Sequence, residues 1–222
     1  MEHYDNDQRF DAYLFGDQNN GYLRKLHPLA FENPIHKIEG VIDAYKQALT
    51  QATFWGPTFF APLIHEAINK ASSYTMDSSK YSVVMIMTDG EIMDYDETVD
   101  AIVKASTLPI SIIIVGIGNN DPIYNERGKA VGRKFDAMVR LDGDKKALKN
   151  TNGVKSKRDI VDFVVANDIK IGDHIDFQLM AKKVLVEVPE QLESYMLYKN
   201  YKPQVKVIKG HQLQQIPILP LV

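Results

Sequence analysis

The chain has 222 residues, 45% hydrophobic and 25% charged, with 29 acidic against 26 basic side chains and a formal net charge of −3. That length and balance suit one large domain with a tail and a sizeable core, and they supply neither the basic footprint of a nucleic-acid binder nor a polybasic cluster for an anionic membrane. The absence of cysteine excludes disulfides, thiolate zinc sites and cysteine nucleophiles, and accords with a reducing compartment.

The opening MEHYDNDQRF is polar and acidic, without a basic stretch followed by an apolar run, so no secretory signal is expected. Phe10 to Gly16 alternates aromatic and apolar residues and closes on glycine, which predicts a strand. Residues 26–31 predict a short edge strand, where Pro28 is tolerated because one backbone side is unpaired. From Lys37 to Leu49, Ile38, Val41, Ile42, Tyr45 and Leu49 recur at helical spacing and predict an amphipathic helix. TFWGPT breaks that pattern as a loop. A second helix is predicted from Phe59 to Ser73 on Ile64, Ala67, Ile68 and Ala71. YSVVMIMTDG has a continuous apolar run, as expected of a strand buried on both faces of a parallel sheet.

Asp94 or Asp96 is expected to cap the next helix, which carries Val99, Ile102, Val103 and Ala105. LPISIIIVGIG repeats the buried-strand pattern. Strand, helix and strand at this spacing imply a right-handed crossover and a parallel pair, with helices on both faces. DPIYNERGKAVGRK reads as a surface loop, FDAMVRLDGD as a short helix running into a turn, and RDIVDFVV as the last strand. FQLMAKKVLVEVPEQLESYMLY reads as a terminal helix interrupted near Pro189, and the final twenty or so residues as extended. The apolar runs near 83–87 and 108–117 are too short for a membrane-spanning helix of about 20 residues, so a soluble intracellular chain is expected.

Ligands of open parallel sheets bind beyond the carboxyl ends of the strands, which singles out MTDGE and WGPT. Asp89 is expected at the top edge of the sheet and Thr58 at the entrance of a helix, its hydroxyl facing the same crevice. Oxygen ligands of this kind suit a hard cation such as Mg²⁺. Plainer readings stand beside these: Thr58 as the N-cap of its helix, and Asp89 as a turn residue before Gly90. Trp55, next to Gly56, is either an exposed recognition aromatic or a core anchor of its loop.

The runs GPTFFAPLI (56–64) and YSVVMIMTDGEIMD (81–94) resemble the second and third metal loops of copines. TVDAIVKASTLPISIIIVGIG, FDAMVRLDGD, RDIVDFVV, VLVEVPEQLESY and LYKNYKP follow the same pattern in order, over about residues 4–203. The resemblance implies a copine-type von Willebrand factor A domain over 1–203 and a tail over 204–222. Its fold is a three-layer, Rossmann-like α/β arrangement: a mostly parallel central sheet with an antiparallel edge strand, and helices on both faces. In that family a metal-ion-dependent adhesion site draws on three loops, of which Thr58 and Asp89 match the second and third. The first strand and first metal loop precede YDNDQRF in copines and do not match any segment of this sequence. The domain is therefore expected to be incomplete at its N-terminus, with apolar strand edges exposed and Mg²⁺ or Mn²⁺ held weakly or not at all.

The function so implied is non-enzymatic: a protein partner is bound through the metal-site face, with Trp55, Gly56, Gly90 and Glu91 around Thr58 and Asp89. Calcium-dependent phospholipid binding belongs to C2 domains outside these residues, so contact with membrane is indirect. The implied location is cytoplasmic, peripheral to the plasma membrane. Two other readings are a substrate-binding domain of a copine-like RING ubiquitin ligase without its RING, and an inactive truncated fragment. Elsewhere, LDGD (141–144) lacks the further acidic positions of an EF-hand and reads as a turn. GIGNND lacks the later glycine of a dinucleotide fingerprint. The six histidines are scattered, and no Gly-x-Ser-x-Gly nucleophile elbow occurs.

Overall fold

The computed structural model describes residues 7–18, 26–31, 34–74, 80–144, 146–171 and 174–201. Its centre is a parallel sheet in the order β5-β6-β9, formed by Ser82–Thr88, Ile110–Gly116 and Val161–Val165. β6 is buried along its whole length, as its run of β-branched residues requires of a middle strand covered on both faces. Its side chains alternate between two cores. Ile110, Ile112 and Ile114 face one cluster with Phe60, Ile64, Ile68, Ile102, Phe135 and Met138. Ile113 and Val115 face another with Val184 and Val188.

α2 (Ala61–Ser72), α3 (Tyr95–Ala105) and α4 (Asp136–Leu141) bury their apolar stripes in the first cluster. α1 (Lys37–Gln51) buries none of its residues. Ile42, Tyr45 and Leu49 on its predicted apolar face are exposed, so the helix expected at 37–49 forms but does not cover the sheet. The second cluster is closed by α5 (Phe177–Leu185) and α6 (Val188–Tyr198). Helices therefore lie on both faces of the parallel sheet, as expected, and the predicted interruption at Pro189 is the junction of α5 with α6.

The antiparallel pairing is arranged differently from the expected edge strand. Among the described residues it occurs in separate two-stranded ribbons, none joined to the parallel sheet. The strand predicted at 10–16 is two short ones: β1 (Arg9–Phe10) pairs with β4 (Ile35–His36), and β2 (Tyr13–Leu14) with β3 (His27–Pro28). The break falls at Asp11, whose carboxylate pairs with Lys70 of α2. The surface loop expected at 121–134 is a ribbon of β7 (Pro122–Tyr124) and β8 (Ala130–Arg133). Its turn is held by the Asn125 carboxamide oxygen, which accepts from Arg127 N and Lys129 N at 3.0 Å each. Both of its faces are exposed apart from Gly132, so no hydrophobic alternation marked it in the sequence. RDIVDFVV supplies β9, the last strand of the parallel sheet, but a further ribbon follows it, β10 (Lys170–Ile171) with β11 (His174–Ile175). The tail expected to be extended, 204–222, lies outside the described residues. No helix among them is long and apolar enough to cross a membrane.

Candidate functional site

β5 is an edge of the parallel sheet among the described residues, and its carboxyl end opens into the loop 89–94. That loop turns sharply at Gly90, where φ is +107°, a conformation that glycine adopts without a Cβ penalty. A Cβ there would meet the Lys134 carbonyl oxygen at 2.6 Å and the Phe135 ring at 2.7 Å. Phe135, fully buried, also lies under Gly116 at the end of β6, so one aromatic ring supports the carboxyl ends of both strands. Gly90 N donates to the Thr88 hydroxyl at 3.1 Å, closing the turn. The reading of Asp89 as a residue before a glycine turn holds. Its carboxylate projects outward, with the side chain 66% exposed and one oxygen 3.8 Å from Lys134 Nζ.

The loop preceding α2 is fastened to this turn. Met93 N donates to the Thr58 carbonyl at 2.9 Å. Asp94, buried, accepts from Phe60 N at 3.0 Å and Ala61 N at 2.9 Å, and from the Thr98 hydroxyl at 3.1 Å. The expectation for Asp94 is corrected in an informative way. It begins α3, and its carbonyl accepts from Thr98 N, yet its carboxylate caps the first amides of α2. The negative charge is well placed at that helix N-terminus. Pro62 follows in the first turn, where the missing N–H is no loss. The capping alternative for Thr58 is thereby overturned: the N-cap position is Phe60, and the capping oxygens come from Asp94.

Thr58 is half-buried. Its hydroxyl faces the backbone of Gly16, where a Cβ would stand 3.9 Å away. This third segment is stitched to the second loop by Trp55 N donating to Gly16 O at 3.1 Å and Gln18 N to Thr53 O at 2.9 Å. Next to Gly16 lies Asp17, a buried carboxylate whose Oδ2 is 2.7 Å from His27 Nδ1. The structure thus brings the loop of Thr58 together with that of Asp89. It also adds Asp17, His27, Asp94 and Lys134 to their surroundings, none of which the sequence had singled out for the site. For Asp17 the one signal was a carboxylate directly after the glycine closing a predicted strand.

Of the remaining residues, Trp55 is 46% exposed and so is not a core anchor. Gly56 and Glu91 are exposed, and Gly90 is buried. Phe54 and Met93 are exposed beside them, which gives the rim an apolar border. The Thr58 hydroxyl lies toward Gly16 and the Asp89 carboxylate toward Lys134, so the two oxygen donors expected for a cation are brought near each other by their loops rather than by a direct contact. Among the described residues no group of three or more histidine or carboxylate side chains stands ready to hold a metal.

A family model described as Copine matches residues 1–204. The chain is 33% identical over 215 residues to nicotinic receptor-associated protein 1 of Caenorhabditis elegans, covering 91% of this chain and 32% of that protein. It is 35% identical over 206 residues to Copine-D of Dictyostelium discoideum, covering 90% of this chain and 36% of that one. The chain spans about a third of the length of these curated relatives.

Proposed function

This chain belongs to the copine family, and from that premise we propose that it is a non-enzymatic protein-interaction module whose binding face is the rim around Thr58 and Asp89. The observation that carries the reading is the 2.9 Å bond from Met93 N to the Thr58 carbonyl, which joins the two loops into one surface. A hydrated Mg²⁺ or Mn²⁺ held by the Thr58 hydroxyl and the Asp89 carboxylate would offer its open positions to a carboxylate of the partner. Exposed Trp55, Phe54 and Met93 supply apolar contact around it, since aromatic and methionine side chains are enriched in protein interfaces. One relative is named for association with a receptor, which favours a protein as the partner class. Phospholipid binding and a cytoplasmic place beside the plasma membrane are proposed for the longer protein type rather than for these residues.

The test is a binding assay with candidate partners presented as acidic peptides, with Mg²⁺ or with chelator. Binding that needs the ion and disappears in Asp89→Ala supports the module. Binding that is indifferent to both refutes it.

A further inference from the structure

The balanced charge of the whole chain hides one local excess. Residues 145–158, KKALKNTNGVKSKR, hold five lysines and an arginine and no acidic side chain. Arg158 turns inward and directs its guanidinium to the carbonyls of Leu108, Ile110 and Gln191. Lys146, Lys149, Lys155 and Lys157 are exposed, and none forms an ion pair with another described residue. Lys149 and Lys155 stand directly opposite one another in an antiparallel bridge, an arrangement that like charges disfavour.

This segment is not a loose solvated run. The Asn150 carboxamide oxygen accepts from Asn152 N at 3.1 Å and Val154 N at 2.8 Å, which shapes the turn. Thr151 donates to both carboxylate oxygens of Asp100 in α3, through its amide at 2.7 Å and its hydroxyl at 2.8 Å. Lys157 N donates to the buried Ser106 hydroxyl at the end of α3, at 2.9 Å. So fastened, residues 146–151 wall a groove of about 690 Å³ against α3 and α4, within the roughly 300–1,000 Å³ usual for binding sites. Buried Val99 and half-buried Tyr95 and Leu148 give it an apolar lining. The Arg140 guanidinium is held 4.9 Å from the Tyr95 ring centroid, a favourable cation–π placement. Among the described residues that line the groove, Arg140, Lys146 and Lys149 face one carboxylate, Asp96. The wall begins at Gly143, over which the Asp159 carboxylate lies, and is cationic from Lys146 onward.

We propose that this groove docks an acidic peptide segment of a protein partner, with an apolar residue of the segment between Tyr95, Val99 and Leu148 and its carboxylates on Arg140, Lys146 and Lys149. Charge complementarity selects an acidic occupant, as basic clusters do in the recognition of acidic motifs. The apolar lining favours a peptide over a bare polyanion, which has nothing to bury there, and the recess favours it over a flat membrane surface. Because Asp100, Asn150 and Ser106 already fix the wall, binding costs little ordering of the chain. The surface is separate from the rim at Thr58 and Asp89 and needs no cation.

The test pans a phage-displayed library of short random peptides on the full 222-residue chain in chelator, which removes any cation at Asp89. Enriched peptides should carry aspartate or glutamate beside at least one large apolar residue. Labelled with fluorescein, they should bind Asp89→Ala as they bind the wild type, and bind the double variant Lys146→Glu/Lys149→Glu about 10-fold or more weakly, since two exposed attractions become repulsions. Serine in place of the apolar residue of the peptide should weaken binding as well. The double variant should melt at or above the wild-type temperature, because Lys149→Glu turns the repulsive pair with Lys155 into an attractive one, and this separates lost binding from lost folding. Enrichment without acidic residues, binding unchanged in the double variant, binding unchanged by the serine substitution, or no enrichment above background would each overturn the proposal. In the last case, sedimentation with phosphatidylserine vesicles that is lost in the double variant would assign the lysines to a membrane surface instead.

Discussion

Replacing Asp94 by alanine removes the device that holds the second and third loops together. The carboxylate accepts hydrogen bonds from Phe60 N, Ala61 N and the Thr98 hydroxyl. Thr98 retains a nearby acceptor in the residue-94 carbonyl, but the two amides lie under buried residues, Phe60 and Ala61 being 1% and 2% exposed. A buried donor left unpaired costs about 1–3 kcal/mol, and losing a helix cap about 1 kcal/mol of the same account. The expected loss is about 3 kcal/mol, a large share of the roughly 5–15 kcal/mol of a typical domain. Asp94→Asn keeps one acceptor oxygen and should lose about half as much. Equilibrium urea unfolding measures both, with an unchanged m-value. Trp55, the single tryptophan, reports on the second loop, and its emission should change in Asp94→Ala under native conditions. A loss under about 0.5 kcal/mol with unaltered Trp55 emission would refute the argument that Asp94 joins these loops.

Other consequences are equally direct. Lys134→Ala frees the Asp89 carboxylate from an exposed pair worth about 0.2–1 kcal/mol, so weak Mg²⁺ binding measured by NMR titration should tighten, by up to about 5-fold; weaker binding contradicts the competition. Gly90→Ala adds a Cβ at φ +107° against the Lys134 carbonyl and the Phe135 ring, and should cost about 2–3 kcal/mol by thermal or chemical denaturation. Burial and repulsion from neighbouring carboxylates push Asp142 up to about 7 in the folded chain, above its unfolded value, so the native state binds the extra proton and stability should fall as pH rises from about 4 to 7. The full displacement is worth about 4 kcal/mol, and for a half-buried, screened group about 1–2 kcal/mol remains. Asp142→Asn should recover that amount at pH 8 and little at pH 4; equal effects at both pH values would count against it.

The legible parts of the fold were those whose burial repeats with a simple period. α2 and α3 showed their stripes, and β6 its unbroken β-branched run, because each is pressed against a core. The apolar run of β5 was equally visible, but not its position at a sheet edge, where Val83 to Met85 are only half-buried. The ribbon β7–β8 escaped because its two faces meet water and its order comes from the turn at Asn125. α1 was legible as a helix, yet its stripe finds no core among the described residues, which periodicity does not reveal. At the site, Asp89 stood out by residue type at the end of a predicted strand and Thr58 at the entrance of a predicted helix. Asp94 was visible as a cap, but sequence distance favoured the helix it begins over the one 33 residues earlier that its carboxylate serves. Long-range pairings such as Asp17 with His27 and Lys134 with Asp89 leave no mark in local spacing.

Substoichiometric Mn²⁺ added to the isotope-labelled chain reports most directly on whether the loops of Thr58 and Asp89 form one cation-binding rim. The account predicts paramagnetic broadening of amides in both 56–58 and 89–93, at millimolar rather than micromolar affinity, abolished at both loops by Asp89→Ala. Broadening confined to one loop, or surviving at both in Asp89→Ala, would contradict it.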